Sequence, residues 1–389
     1  MLFEEIMKYD GGNQEIYDEI KGKLQEHLIR PFIGAGLSAN FGYPTWWELL
    51  WSFYNKEIKS INENKFNDKY RNPEKLASEI SEKMKSKGLD LKQELKKEFK
   101  KNDREFDKNH GHFESRSIYE SVTYIPLIFP KRTILTTNYD SVLERLYQTK
   151  EKPLCRSVVC SKDYEGYSSE EDDDDPLIYH LHGGMGKSHM IIITEEDYKI
   201  AYQEETSNII NDLCKIFQNN SALFLGCSLE NDRYLTTLAG TQKPHFSIVP
   251  AEKKAEIPNR RKNLEEKKNI KAIFYPPSKD ENAGKHYGLS VVLGRLYYDS
   301  PLYCAHGNRK ATVDPCNVEN TFNLLKHTMD IFYGIPSRRK CFEKGAEMLC
   351  PESCQNIEGA IKFLEYLYEI DKDESTRKRL SKFRLRALG

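Results

Sequence analysis

Residues 32–49 read FIGAGLSANFGYPTWWEL, and they follow an apolar run over residues 28–34. Gly34, Gly36 and Ala39 fit the pattern G-x-G-x-x-G/A directly after a predicted strand and at a predicted helix start. In that pattern the first glycine allows a tight turn and the second lets the backbone approach a pyrophosphate. The small third residue lets the helix pack on the strand. The helix start then offers unpaired N–H groups to phosphate. By itself the pattern is a weak signal, because glycine turns after strands are commonly structural. A dehydrogenase of this type also needs an acidic residue about 20 positions on, closing a second strand. Residues 50–58 are instead rich in aromatics and end no strand in Asp, which argues against an ordinary dehydrogenase.

Outward from this stretch, short apolar runs recur at 132–137, 177–181, 190–194, 222–226, 246–250 and 272–275. Most are continuous rather than alternating, as in strands buried on both faces of a parallel sheet. Helical segments lie between several of them, so the expected fold is α/β, a Rossmann-like doubly wound parallel sheet. An insertion at about 50–125 reads as helical. Asn72-Pro73-Glu74 is a helix start, with Leu76, Ile80 and Met84 following at helical spacing. A second insertion ends in the acidic run 170–175, read as a solvated loop. The expected division is a catalytic domain over 1–297 and a helical C-terminal module over 298–389. In the latter, Val318, Phe322, Leu325, Met329 and Phe332 keep helical spacing.

Composition narrows the function. The 389 residues carry a formal net charge of -1, which gives no general attraction to nucleic acid or anionic lipid. The basic tail from Arg377 to Arg386 reads as a solvated helix end. No stretch reaches the roughly 18 apolar residues of a membrane span, and residues 1–10 lack the pattern of a secretory signal. Nine scattered cysteines fit free thiols in a reducing compartment, so a cytoplasmic protein is expected. The pair Cys350 and Cys354 has no complementary His or Cys pair, so no metal is expected there. The run Gly183-Gly184-Met185-Gly186-Lys187-Ser188 ends like a phosphate-binding P-loop. Leu181 stands where the first glycine of that motif belongs.

Three further segments fall at predicted strand ends: Thr136-Thr137-Asn138-Tyr139-Asp140, His180-Leu181-His182-Gly183 and Leu225-Gly226-Cys227-Ser228. In an open α/β sheet ligands sit outside the carboxyl ends of the strands, so these segments and the glycine loop are expected to face one crevice. Taken singly, an Asn after a strand reads as a helix cap and a His at a sheet end as a satisfied core residue. Together, GAGLS with Gly42-Tyr43-Pro44-Thr45-Trp46, then TTNYD, HLHG and LGCS, in that order, resemble the sirtuin superfamily, specifically its bacterial anti-phage defence branch, over roughly residues 20–295.

The resemblance implies an NAD-binding site. Gly34, Ala35, Gly36 and Ser38 would contact the NAD phosphates, and Asn138 and His182 would take the catalytic positions. Asp140 would support the nicotinamide and ribose side, and Gly226 and Ser228 the adenosine end or its phosphates. His180 and His182 share a face if the strand runs through both. His182, beside the glycines, is favoured as catalytic, with His180 in a structural or supporting role. The inventory suits the chemistry. Nicotinamide leaves neutral, so no general acid is needed. What remains is to exclude bulk water, orient a nucleophile and accept its proton, tasks for an amide and an imidazole.

Sirtuin deacylases carry two C-x-x-C zinc pairs after the catalytic His. This sequence has no C-x-x-C and no cysteine between His182 and Cys214, so no zinc is expected. Water becomes the natural acceptor, and the expected activity is that of an NAD+ glycohydrolase releasing nicotinamide and ADP-ribose. Cyclisation of the ADP-ribose is left open. Two alternatives are a non-catalytic NAD- or ADP-ribose-binding regulatory subunit and a deacylase or ADP-ribosyltransferase. The resemblance also implies gated activity that depletes NAD on infection, self-association into a homo-oligomer, and pairing with a HerA-type ring translocase.

Overall fold

The computed structural model describes residues 3–58, 72–110, 121–129, 132–147, 156–159, 177–184, 191–203, 207–230, 232–278 and 286–299. Among these, seven strands form one sheet: β1 (Ile29–Ile33), β2 (Ile134–Thr136), β3 (Arg156–Val159), β4 (Leu177–His180), β5 (Ser221–Leu225), β6 (His245–Pro250) and β7 (Ile270–Tyr275). Their order is β3-β4-β2-β1-β5-β6-β7, and every pairing is parallel. The doubly wound α/β expectation holds.

Burial on both faces explains why the strands read as continuous apolar runs. In β5, Leu223 and Leu225 enter one core while Ala222 and Phe224 enter the other. β1 divides in the same way, with Ile29 and Ile33 on one side and Phe32 on the other. The first core packs the helices Asn13–Gln25, Trp46–Glu57, Pro73–Lys85 and Tyr287–Asp299. The second packs Glu195–Ala201, Asn208–Phe217, Arg233–Ala239 and Ile257–Lys268.

Six of the seven apolar runs are strands. The run 190–194 is not. Its described residues, Ile191, Ile192 and Ile193, are buried in an irregular segment that leads into the capping residue Thr194. Ile192 N–H donates to the His182 carbonyl at 3.0 Å, and Tyr139 Oη donates to the Ile192 carbonyl at 2.6 Å. Those bonds satisfy the backbone outside the sheet. β3, at the sheet edge, was not foreseen.

The helical insertion holds where it is described. Asn72 Oδ1 accepts from Lys75 N–H at 3.1 Å with Pro73 in the first turn, and Leu76, Ile80 and Met84 are fully buried. The acidic run 170–175 and the proposed C-terminal module from residue 300 onward lie outside the described residues. Its expected boundary at 297 falls within the helix Tyr287–Asp299.

The chain runs from β1 toward β2 on one side of the sheet and later resumes at β5 on the other. The topological switch point therefore lies between β1 and β5, where ligand crevices form in such sheets.

Candidate active site

A cavity of about 510 Å³ opens at that switch point. Its walls include Gly34, Ala35 and Gly36 after β1, Thr137 after β2, and Gly226, Cys227 and Ser228 after β5. Trp46, Trp47 and Tyr198 line it further, as does Pro250 at the end of β6.

The glycines are required by contact between two loops. A Cβ on Gly34 would lie 2.5 Å from the Gly226 carbonyl oxygen, and one on Gly226 would lie 2.7 Å from Leu37 N. Gly226 also has φ of 70°, a left-handed conformation that glycine adopts without strain. Gly34 N–H donates to Leu225 O at 2.9 Å and Gly36 N–H to Gly226 O at 3.0 Å. This corrects the expectation of a loop opening into an α-helix. Two 3₁₀ turns, Ala35–Leu37 and Ala39–Phe41, follow β1 instead, and the Gly36 N–H is spent on the neighbouring loop. The first α-helix after β1 starts at Trp46, where Thr45 and Glu48 form a capping box.

Behind the cavity wall lies a buried polar cluster. Thr136 Oγ1 donates to Ile33 O at 2.9 Å and accepts from Asn138 N–H at 3.0 Å, which ties the turn after β2 onto β1. Asn138 Nδ2 donates to Ser38 Oγ at 3.1 Å, and both residues are buried. Asn138 Oδ1 is buried without a hydrogen-bond partner among the described residues. Asp140 Oδ1 accepts from Val142 N–H at 3.0 Å. Burial is the largest influence on its carboxyl and holds its pKa up at about 6, while hydrogen bonds from the Val142 N–H and Ser38 act to lower it.

His180 and His182 separate sharply. His180 closes β4 and turns back onto the Asn138 segment. Its Nδ1 lies 2.9 Å from the Asn138 carbonyl and its Nε2 2.8 Å from Glu144 Oε1. His182 lies beyond the strand, 1% exposed, with Nε2 2.8 Å from Tyr202 Oη and Nδ1 3.3 Å from Tyr198 Oη. Burial pushes its pKa down to about 3. The imidazole is therefore neutral at physiological pH, but in this arrangement it is a far weaker base than an imidazole in water.

The expectation of one shared crevice is thus met in part. Gly34, Ala35, Gly36, Gly226 and Ser228 line the cavity. Ser38, Asn138, Asp140 and His182 do not. The divide is one residue thick. Thr137 faces the cavity and Asn138, next in the chain, is turned inward. Tyr198 lines the cavity and its hydroxyl meets His182. Tyr198, Tyr202 and Glu144 were missed in the sequence, although Tyr198 and Tyr202 sit four residues apart at helical spacing and that pairing was legible. Cys227, although in the wall, is a poor nucleophile candidate, because burial raises its thiol pKa far above the usual range.

Among the described residues no group of three or more His, Cys, Asp or Glu side chains is placed to hold a metal ion, and no helix is long and apolar enough to cross a membrane.

Comparison with known proteins gives two findings. Residues 132–273 match the family model described as SIR2-like domain. The chain is also 27% identical over 226 residues to the NAD(+) hydrolase ThsA of Enterococcus faecium, covering 56% of this chain and 42% of that protein. The chain therefore spans under half the length of this curated relative. The matched segment runs from β2 to within β7 and includes the turn bearing Asn138, His180, His182 and the loop after β5, so the similarity to SIR2-like domains falls on the candidate site of a Rossmann-like α/β fold.

Proposed function

We propose that the protein is an NAD+ glycohydrolase that releases nicotinamide and leaves ADP-ribose. The observation carrying this reading is the Asn138 amide. Its oxygen is buried without a donor, its nitrogen is held by Ser38, and Thr137 beside it forms the cavity wall. An unsatisfied buried acceptor costs about 1–3 kcal/mol, which fits a site kept ready for a hydroxyl or water. A dinucleotide laid over the glycine loop and the Gly226–Ser228 turn would bring its nicotinamide end toward Ser38, Asn138 and Asp140. Nicotinamide departs with the bonding electrons of the C–N bond. Water oriented by the Asn138 oxygen attacks the anomeric carbon, and its proton passes to His182 Nε2. The absence of C-x-x-C pairs supports water rather than an acyl-lysine as the acceptor.

In the arrangement described, Tyr202 occupies the nitrogen that would take the proton. The reaction therefore requires that hydroxyl to move, which fits an enzyme restrained until activated. NAD depletion in anti-phage defence, self-association and a ring-shaped translocase partner are further parts of this proposal, drawn from the family resemblance. The test follows nicotinamide release by chromatography, alone and with candidate partner proteins. Release by the wild type, with at least about 100-fold less from Asn138→Ala and normal NAD binding, is the expected outcome. Turnover unchanged in Asn138→Ala would defeat the assignment.

A second reading has one specific observation behind it. Both candidate catalytic side chains lie behind the cavity wall, as a non-catalytic NAD or ADP-ribose sensor would allow. Tight binding by the wild type and Asn138→Ala alike, without turnover under any activating condition, would favour the sensor.

A further inference from the structure

We propose that His180, clamped between the Glu144 carboxylate and the Asn138 carbonyl, is a positioning residue that fixes the register of the catalytic amide. This rests on the reading of Asn138 above and adds to it a role for a pair outside the cavity. The geometry is direct. A carbonyl oxygen only accepts hydrogen bonds, so the Nδ1 atom 2.9 Å from the Asn138 carbonyl carries a hydrogen. The Nε2 atom lies 2.8 Å from a Glu144 oxygen. An imidazolium satisfies both partners as donor, with the carboxylate balancing its charge. His180 is 3% exposed, so this pair is largely withdrawn from solvent.

What the clamp holds is the turn itself. The Asn138 N–H is fixed by Thr136 Oγ1, its side-chain amide by Ser38, and its carbonyl by His180. Each of the three anchors comes from a different strand end: Thr136 from β2, Ser38 from the loop after β1, and His180 from β4. Removal of the His180 anchor loosens the carbonyl side of Asn138, and only the Thr136 bond to its N–H and the Ser38 contact to its side chain then hold the amide. Glu144 lies on the helix Val142–Tyr147, immediately after the same turn, so the clamp closes a short loop of chain onto β4. Burial by itself would lower the His180 pKa, yet it is raised, with Glu144 the largest opposing influence.

A purely structural pair would affect stability alone, and three variants separate the cases. His180→Leu takes the imidazolium away from the Glu144 carboxylate and lowers the melting temperature. The double variant H180L/E144Q removes the carboxylate charge as well and restores most of that stability. Positioning predicts that its kcat for nicotinamide release stays down by about 100-fold, while KM for NAD moves less than about two-fold. Glu144→Gln keeps every heavy-atom position and removes the charge, with an expected kcat loss of about 10-fold. Recovery of kcat together with stability in the double variant would overturn the proposal. A second arm needs no turnover. The Asn138 side-chain amide NMR signal, assigned by its loss in Asn138→Ser, is expected to be sharp in the wild type. It should shift or broaden in the double variant, and an unchanged signal there would also overturn the proposal. If the wild type releases no nicotinamide with any activator, the glycohydrolase reading fails and the NMR arm still decides the positioning role.

Discussion

The two sides of the crevice are built on opposite plans. On the β1–β5 side, backbone meets backbone. Gly34, Gly36 and Gly226 pack so closely that no side chain fits between the loops, and they line an open cavity. On the β2–β4 side, polar side chains meet one another in the interior, and the cavity stops at Thr137 and Tyr198. The first arrangement resembles a preformed seat for a ligand. The second resembles machinery held in reserve. On the glycohydrolase reading, the difference makes binding and chemistry separable, so either side can be perturbed while the other is left in place.

The largest effect is expected on the glycine side. Gly34→Ala would drive a methyl group to 2.5 Å from Gly226 O and 2.8 Å from Cys227 Cα, and backbone on both sides leaves little room to relax. Overpacking of this kind costs about 3 kcal/mol or more, and the shifted loop should lose NAD binding along with stability. Calorimetric titration with NAD and a thermal melt measure both. A variant that melts and binds as the wild type does would break the claim that this side is rigid and preformed.

On the polar side the sign reverses. The Asp140 pKa rises from its ordinary 3.8 to about 6, chiefly through burial. Between those values the folded protein binds more protons than the unfolded chain. Stability is therefore full below about pH 4, falls as pH rises toward 6, and stays lower above it. That difference corresponds to about 3 kcal/mol at neutral pH. Asp140→Asn keeps an oxygen to accept the Val142 N–H and removes the buried charge. It should raise the melting temperature at pH 7.5, flatten the pH 4–6 dependence, and reduce nicotinamide release. Equal melting of the two proteins at pH 7.5 would show that the charge costs nothing, and the view of this side as stability given up for function would fail.

This asymmetry also governs what the sequence could show. The sheet was legible because each strand is buried on both faces, leaving uninterrupted runs such as Ala222-Leu223-Phe224-Leu225. The run 190–194 misled because its isoleucines are equally buried but bond to His182 and Tyr139 instead of a neighbouring strand. β3, at the sheet edge over Arg156–Val159, offers only Val158 and Val159 as an apolar signal. Within the site, the glycine pattern was visible, but its cause is a contact between loops about 190 residues apart, which no local spacing encodes. The histidine choice turned on where β4 ends. Alternation placed His180 and His182 on one face, whereas the strand stops at His180 and the two rings find different partners.

The smallest effect tests the barrier between the two sides. Tyr202 Oη sits 2.8 Å from His182 Nε2, and Tyr198, on the same helical segment, lies between His182, which it meets edge-on, and Trp46, against which it is tilted. The helical insertion braces that segment from outside. Lys92 pairs with Asp197 at 2.6 Å, Glu195 N–H donates to Ser78 Oγ, and Arg233, above the Tyr198 ring, pairs with Glu74. A neutral hydrogen bond contributes about 0.5–1.5 kcal/mol net, so Tyr202→Phe should shift the closed arrangement only modestly toward an open one. Basal nicotinamide release should rise roughly 3- to 10-fold, while the Kd for NAD at the glycine side stays put. Opening also relieves the burial that holds His182 near pKa 3, so the acid limb of the rate should move up toward 6.5. A Tyr202→Phe protein with lower basal activity would mean that the hydroxyl serves the reaction instead of restraining it. Tyr202 would then belong with Asn138 and His182 as part of the chemistry.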